Sequence, residues 1–397
     1  MNQRNVFNPF VLGGVVTGKQ FAGRATEIER LRSLAMGGQH AYLFAPRRYG
    51  KTSLLKETLY TLQESDSLIV VWCDCLPTTD VQSLAIRLAE EVVRAARGGK
   101  LAEWGKTAGS LFKRLRPSIS VGSDGRVTVG LDMAPSQTPL PDLEDALAAV
   151  ARLSAMKKRP VALVFDEFQQ IAEWDKGHQT EAVVRTATQH FSGVSCIFAG
   201  SERHLLQQMF SDRARPLFQL AAPFPIGRLS TEELSPWLQQ RFGDSGLHID
   251  NDSLRMLVAI AAGHPGATQF LAHFVWETAT AQNVTAITTE LVQEALTRAV
   301  DAGDTIYAAD YSRLTAAQRQ VLAAFATEPT LAPTAADYLR RHRLPSKSTV
   351  NQAAKSLVEK GHLEDDRAGY LVSDPLFAEW IRRLHVVTAS VTIVTDN

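Results

Sequence analysis

Gly50-Lys51-Thr52-Ser53 and the adjacent carboxylates Asp166-Glu167 are the residues of this chain whose types and setting suit phosphate chemistry. The first group lies between the apolar run Tyr42-Leu43-Phe44 and a helix-forming segment, and the second ends the apolar run Val161-Ala162-Leu163-Val164-Phe165. Amides of the loop Ala45-Pro46-Arg47-Arg48-Tyr49-Gly50, with the unpaired amides that open the helix, point at one place and hold a polyphosphate there. Lys51 is expected to neutralise the outer phosphates, and the Thr52 hydroxyl to ligate Mg2+. Asp166, at the carboxyl end of a central strand, would hold the same ion, and Glu167 would orient and deprotonate an attacking water.

The loop departs from the pattern G-x-x-x-x-G-K-[ST] at one position, where Ala45 replaces the first glycine. Alanine fits there only where the backbone does not need a positive φ. A competing match, Gly13-Gly14-Val15-Val16-Thr17-Gly18-Lys19-Gln20, has both glycines and the lysine but no hydroxyl. Phe21-Ala22-Gly23-Arg24 follows it and reads as loop, so no helix start would face a phosphate, and this stretch is taken as a decoy turn. A third apolar run, Val194 to Gly200, ends in Ser201. Where an extra strand separates the phosphate loop from the acidic strand, a small polar residue in that place lies beside the γ-phosphate and senses it. Ser201 would serve equally as the cap of a helix over Glu202 to Met209.

These residues need a scaffold that brings strand ends together. From residue 40 to about 228 the order is strand, loop, helix, strand (68–75), helix (80–96), insertion, helix (142–156), acidic strand and sensor strand, a doubly wound parallel α/β pattern. Within the insertion, Ser118 to Leu131 reads as a hairpin around Asp124-Gly125, and Ala134 to Pro141 as a proline-rich link. From Leu229 the pattern is helical, over 231–242, 251–262, 265–281 and 288–302, with no strand between them. Gly263-His264-Pro265 separates two of these helices as a stop and a start. Helices over 315–326, 334–342 and 346–360, then a short hairpin, make a winged helix in which Ser346 caps the recognition helix Lys347 to Glu359. The division is thus an extension over 1–20, a core over 21–228 with an insertion at about 117–132, a helical lid over 229–304, a winged helix over 312–386, and a tail over 387–397.

Of 397 residues, 45% are apolar and 21% charged, which suits a soluble globular protein. Lys plus Arg and Asp plus Glu each total 42, so there is no global attraction to nucleic acid or membranes. The apolar runs are strand-length, short of a membrane span, and the N-terminal segment lacks the apolar stretch of a signal peptide, which places the protein in the cytoplasm. Cys73, Cys75 and Cys196 lie on core strands; one C-x-C pair cannot complete a zinc site, so buried reduced thiols are expected.

Together these elements resemble the archaeal-type ATPases, P-loop proteins of the AAA+ and STAND class related to origin-recognition ATPases. Pro46-Arg47-Arg48-Tyr49-Gly50-Lys51-Thr52-Ser53 is similar to the family's phosphate loop, Asp166-Glu167-Phe168-Gln169 to its acidic strand, and Gly200-Ser201 to its sensor strand end. Phe21, Gly23 and Arg24, with Glu27, resemble the opening motif whose residues surround the adenine. Gly263-His264-Pro265 is similar to the lid motif in which the His or Pro touches the nucleotide, and Ser373-Asp374-Pro375-Leu376-Phe377 recurs after the wing. Phe210 to Phe218 resembles the loop after the sensor helix, where Arg215, chosen over Arg213, would stabilise γ-phosphate charge in cis or across an oligomer; the alternative is a solvated surface arginine.

The resemblance implies ATP and Mg2+ as cofactors, slow hydrolysis to ADP, and use as a regulatory switch in which ATP closes the lid and winged helix onto the core. Protein partners or self-association through the lid and winged helix are expected. The alternative is a nucleotide-regulated DNA-binding protein, with Arg340, Arg341, Arg343, Lys347 and Lys355 as phosphate contacts. From Ser312 to His385 there are eleven Lys or Arg and eight Asp or Glu, and Glu364-Asp365-Asp366 makes the wing acidic, so DNA is the less favoured partner. A degenerate nucleotide-binding scaffold is a third reading, resting on Ala45 alone.

Overall fold

The structure is a computed structural model that describes residues 7–97, 106–107, 109–115, 117–121, 127–131, 139–366 and 369–394. The chain divides into two compact units, one over Arg24–Gly227 and one formed by Met1–Gly23 with Arg228–Asn397.

The Arg24–Gly227 unit has seven strands in its described residues: β1 (Ala41–Phe44), β2 (Ile69–Asp74), β3 (Pro117–Val121), β4 (Val127–Leu131), β5 (Val161–Asp166), β6 (Val194–Gly200) and β7 (Ala222–Pro225). Five form one sheet in the order β2-β5-β6-β1-β7, and every neighbouring pair is parallel. Every residue of β5 and β6 is buried, as continuous apolar runs covered on both faces require. β6 lies between β1 and β5, with Phe44 level with Gly200 and Phe165 level with Phe198. The chain leaves these three strands at one edge of the sheet, so the phosphate loop, Glu167 and Ser201 emerge side by side. Below that edge Phe165, Phe168, Phe198 and Phe210 pack ring against ring in the core.

β3 and β4 pair antiparallel as a separate hairpin. Its expected Asp124-Gly125 turn lies outside the described residues. The helix before β5 spans Pro139–Lys157, starting earlier than the expected 142 because proline is tolerated in a first helical turn.

The second unit is mainly helical, with helices Thr231–Asp244, Asn251–Ala261, Pro265–Ala281, Thr289–Ser312, Ala316–Thr327, Ala336–Arg341, Lys347–Glu359 and Pro375–Val394. The short antiparallel pair β10 (Leu363–Asp366) and β11 (Gly369–Val372) forms the wing. Contrary to the strand-free expectation for the helical region, β8 (His248–Ile249) and β9 (Ala286–Ile287) pair in parallel, two residues each and too short to leave a period in the sequence. The helix expected to end at 302 continues to Ser312. Gly303 does not break it, because the ring of Tyr307 fills the space where a Cβ would stand 2.2 Å from a ring carbon. Tyr307 then stacks on Phe377 at 5.4 Å, and one hydrophobic core runs from Leu229 to Ile381. The final helix extends through 394, over residues expected to be a tail.

Phe10, from the segment expected to be an extension, belongs to that core: it is 2% exposed and packs on Trp237 and Phe242. Arg241 donates to the Pro9 carbonyl at 3.2 Å and Trp237 to the Lys19 carbonyl at 3.1 Å. Among the described residues, no helix is long and apolar enough to cross a membrane.

Candidate nucleotide site

The loop between β1 and the helix Lys51–Glu64 turns on Arg48 at φ 64° and Gly50 at φ 80°. Ala45 is not among the residues with positive φ, and its side chain is 1% exposed. Alanine therefore stands in the first glycine position without strain. Tyr49 is buried and anchors the loop from beneath. Its carbonyl accepts a 3.4 Å hydrogen bond from Arg24, which also donates to Gly227 O at 2.5 Å and pairs with Glu27 at 2.8 Å. Arg24 is 3% exposed, so within this unit it braces the loop. Pro46 is half-buried and Arg47 and Arg48 are exposed, whereas Ser53 is buried in the helix.

The Lys51 ammonium donates to Ala45 O at 3.3 Å. Burial lowers its pKa, an effect that Glu167 and Asp166 oppose and Arg47 adds to. The Thr52 hydroxyl donates to Asp166 Oδ2 at 3.4 Å. Burial, then the neighbouring Glu167 charge, pushes the Asp166 carboxyl up to about 6. These two oxygens are hard donors on adjacent elements, the set that Mg2+ takes from a protein while keeping water and phosphate as its other ligands. Glu167 sits just past β5 at φ 51°. Its Oε2 accepts from the Ser201 hydroxyl at 2.8 Å, the Ser201 amide at 3.3 Å and Gln169 Nε2 at 2.5 Å. Burial raises its pKa, but the bonds from Gln169 and Ser201, with Lys51 nearby, outweigh burial and leave it below the usual range.

Lys51, Thr52, Asp166, Glu167 and Ser201 thus converge from the ends of three adjacent strands. Ser201 is not the helix cap: the helix begins at Arg203, with Glu202 in the capping position. Gln169 went unassigned in the sequence although it stands two residues beyond Glu167. No local signal marked it, because the reason lies on the next strand, where a Cβ on Gly200 would stand 2.1 Å from Gln169 Oε1.

Arg215 is held in an ion pair. Its Nε donates to Glu181 Oε2 at 3.1 Å, and its other nitrogen bonds the second oxygen of the same carboxylate. Glu181 is wholly buried and the Arg215 side chain only 10% exposed, so the solvated surface reading is corrected. Phe21, Gly23, His264 and Pro265 belong to the other unit. There Gly23, at φ +62°, lies against Glu233. His264 is 4% exposed and caps its helix, its Nδ1 accepting from Ala267 N at 3.0 Å, with Pro265 in the first turn. Cys73, Cys75 and Cys196 are buried free thiols.

A family profile described as "AAA ATPase domain" matches residues 20–218, and one described as "Probable winged helix domain" matches residues 305–383. No curated protein matches the chain. Among solved structures, the Walker-type ATPase PABY2304 of Pyrococcus abyssi superposes with a TM-score of 0.64 at 16% identity, covering 94% of this chain and 99% of that one. The ORC2 protein of Aeropyrum pernix, solved as ADPNP–ADP complexes, superposes with a TM-score of 0.57 at 13% identity, covering 97% of this chain and 99% of that one. At such identity these likenesses speak to the fold. By the profile that spans half its length and the parallel sheet beneath its phosphate loop, the chain belongs to the AAA ATPase domain family.

Proposed function

We propose that the protein binds ATP with Mg2+ and hydrolyses it slowly to ADP and phosphate, as a conformational switch in a regulatory role. The observation that carries this reading is the Glu167 carboxylate held by the Ser201 hydroxyl at 2.8 Å beside the Thr52–Asp166 pair. Lys51 and the loop amides of 45–50 bind the phosphates, Thr52 and Asp166 hold Mg2+, and Ser201 senses the γ-phosphate. When bound, Mg2+ offsets charge on the phosphate oxygens. Glu167 orients a water and takes its proton, with Gln169 fixing the carboxylate.

A role for Phe21, Gly23, Arg24, His264 and Pro265 at the base rests on the resemblance in sequence. The domain division over 21–228, 229–304 and 312–386 stays part of this reading, with protein partners or self-association through the last two. The buried free thiols support a cytoplasmic setting.

The test is ATP binding and hydrolysis with Mg2+ for wild type, Lys51→Ala and Glu167→Gln. The expected result is binding lost in the first, and retained without turnover in the second. A wild type that binds no nucleotide would sink the reading in favour of a scaffold.

Direct DNA binding is the second reading. The helix Lys347–Glu359 exposes Lys347, Asn351, Gln352 and Lys355, and Arg340 and Arg343 are exposed before it. These are side-chain types that reach bases and phosphates. Glu364, one of the wing acids, is held by Arg228 at 2.7 Å. Against this, Arg341 is engaged by Glu328 at 2.8 Å. A salt-dependent mobility shift with duplex DNA that weakens in Lys347→Glu supports it, and no shift at low salt ends it.

A further inference from the structure

Taking the nucleotide reading above as its base, we propose that Asp74 is a positioning residue for the metal ion, its carboxylate accepting a hydrogen bond from a water on Mg2+ and so setting how tightly the ion is held. Asp74 ends β2 as Asp166 ends β5, and the two are register partners on neighbouring parallel strands. Partners in register put their side chains on the same face of a sheet, on strands about 4.8 Å apart. Just beyond them the Cys75 amide donates to the Asp166 carbonyl at 2.9 Å, which keeps the two strand ends together where the chain turns away. The charge of Asp74 adds to burial and to Glu167 in pushing the Asp166 carboxyl up, so the two acids stand within electrostatic reach. Asp166 in turn accepts from the Thr52 hydroxyl at 3.4 Å.

Asp74 has an oxygen to offer. It is half-buried, and its Oδ1 accepts from the Leu76 amide at 3.0 Å. Among the described residues its Oδ2 has no donor and its carboxylate makes no ion pair. Glu167 is already bonded by Ser201 and Gln169, and the Lys51 ammonium donates to the Ala45 carbonyl. Three carboxylates therefore gather at one sheet edge against one ammonium, a surplus that a divalent cation beside Thr52 and Asp166 would match. Among the described residues no three acidic, His or Cys side chains stand close enough to ligate an ion together, so Asp74 acts through a water instead of binding directly. Mg2+ held by one or two protein oxygens keeps several waters, and Asp74 fixes one of them.

The test is the affinity of the ADP-bound protein for Mn2+, an ion that takes the same oxygen ligands as Mg2+ and is read by the loss of its free-ion EPR signal. With protein in excess over ADP, wild type is compared with Asp74→Asn, Asp74→Glu and Asp166→Asn. Asparagine keeps an oxygen for the Leu76 amide, so the turn survives, and thermal melts check the fold. Asp74→Asn is expected to weaken Mn2+ by roughly tenfold, the loss usual when a partner of a metal-bound group is removed. Its ADP affinity in EDTA should be unchanged or slightly higher, because a negative charge has gone. Asp74→Glu keeps the charge and should hold Mn2+ more tightly than Asp74→Asn, whereas Asp166→Asn, which removes a direct ligand, should hold it least. Unchanged Mn2+ affinity in Asp74→Asn overturns the proposal alone. So does a fall in its ADP affinity in EDTA that matches the fall for Mn2+, since Asp74 would then serve the fold or the nucleotide. A wild type that binds ADP without Mn2+, or binds neither, overturns the underlying reading as well.

Discussion

Two buried groups of charges in the Arg24–Gly227 unit are built from the same kinds of residue and reach opposite states. At Glu181 one carboxylate meets one guanidinium through both oxygens, and the pair is closed. At the sheet edge two adjacent carboxylates share a single buried ammonium; burial holds Lys51 below its ordinary range and pushes Asp166 up to about 6. Burial raises the Glu181 pKa too, with Arg215 and His178 opposing it, but there the countercharge bonds the carboxylate directly, whereas Lys51 bonds the Ala45 carbonyl and leaves the sheet-edge carboxylates for a divalent cation to neutralise. A buried charge marks a site when its neighbours fail to neutralise it. Burial alone does not.

Breaking the closed pair should have the largest effect. Arg215→Ala is expected to cost about 3–5 kcal/mol by chemical denaturation, because Glu181 would be left buried with only His178 Nδ1, at 3.5 Å, beside it. Glu181→Gln in the same chain should restore part of the loss. If Arg215→Ala leaves stability unchanged and reduces turnover, the contrast is wrong and this arginine serves the nucleotide.

The open group should respond in the other direction. A carboxyl whose folded pKa lies near about 6 instead of 3.8 costs the metal-free fold roughly 3 kcal/mol above pH 6. The raised value means that the folded state binds the proton more tightly, so stability is highest below pH 4 and falls as pH rises through 6. Asp166→Asn should therefore stabilise the metal-free protein at pH 8, with the gain vanishing towards pH 4. A pH-independent gain would point to packing instead.

A smaller effect is expected beside it. In Gly200→Ala the new Cβ meets Gln169 Oε1, and the overpacking should cost about 1–3 kcal/mol and loosen Gln169 from Glu167, with slower turnover at unchanged ADP affinity. Smallest of all, Arg341→Ala should leave the melting temperature unmoved, because its partner Glu328 is exposed and water already screens the pair.

The sheet and the strand ends were legible from apolar runs ending in polar residues, since in a parallel sheet those ends share one edge. Lys51, Thr52, Asp166, Glu167 and Ser201 could be named for that reason. The setting of Arg215 could not be read in the same way, since it depends on Glu181, which lies 34 residues away in the chain and leaves no local pattern. The run of the helix through Gly303 was illegible for a related reason, since glycine reads as a stop unless the ring that fills its space is known.

The docking of Phe10 has a consequence for synthesis. Trp237 and Phe242, which receive this residue, follow it by more than two hundred residues and are made later. At about 5–20 residues per second, the apolar arm waits on the order of 10 to 50 seconds while the whole intervening unit emerges. The Arg24–Gly227 unit can fold during that interval, but the unit that carries the winged helix cannot close its core until both distant segments exist. A chain stalled or cut before residue 237 would thus display an unhoused phenylalanine arm on a finished ATPase fold, the form in which this protein is most exposed to aggregation and to chaperones.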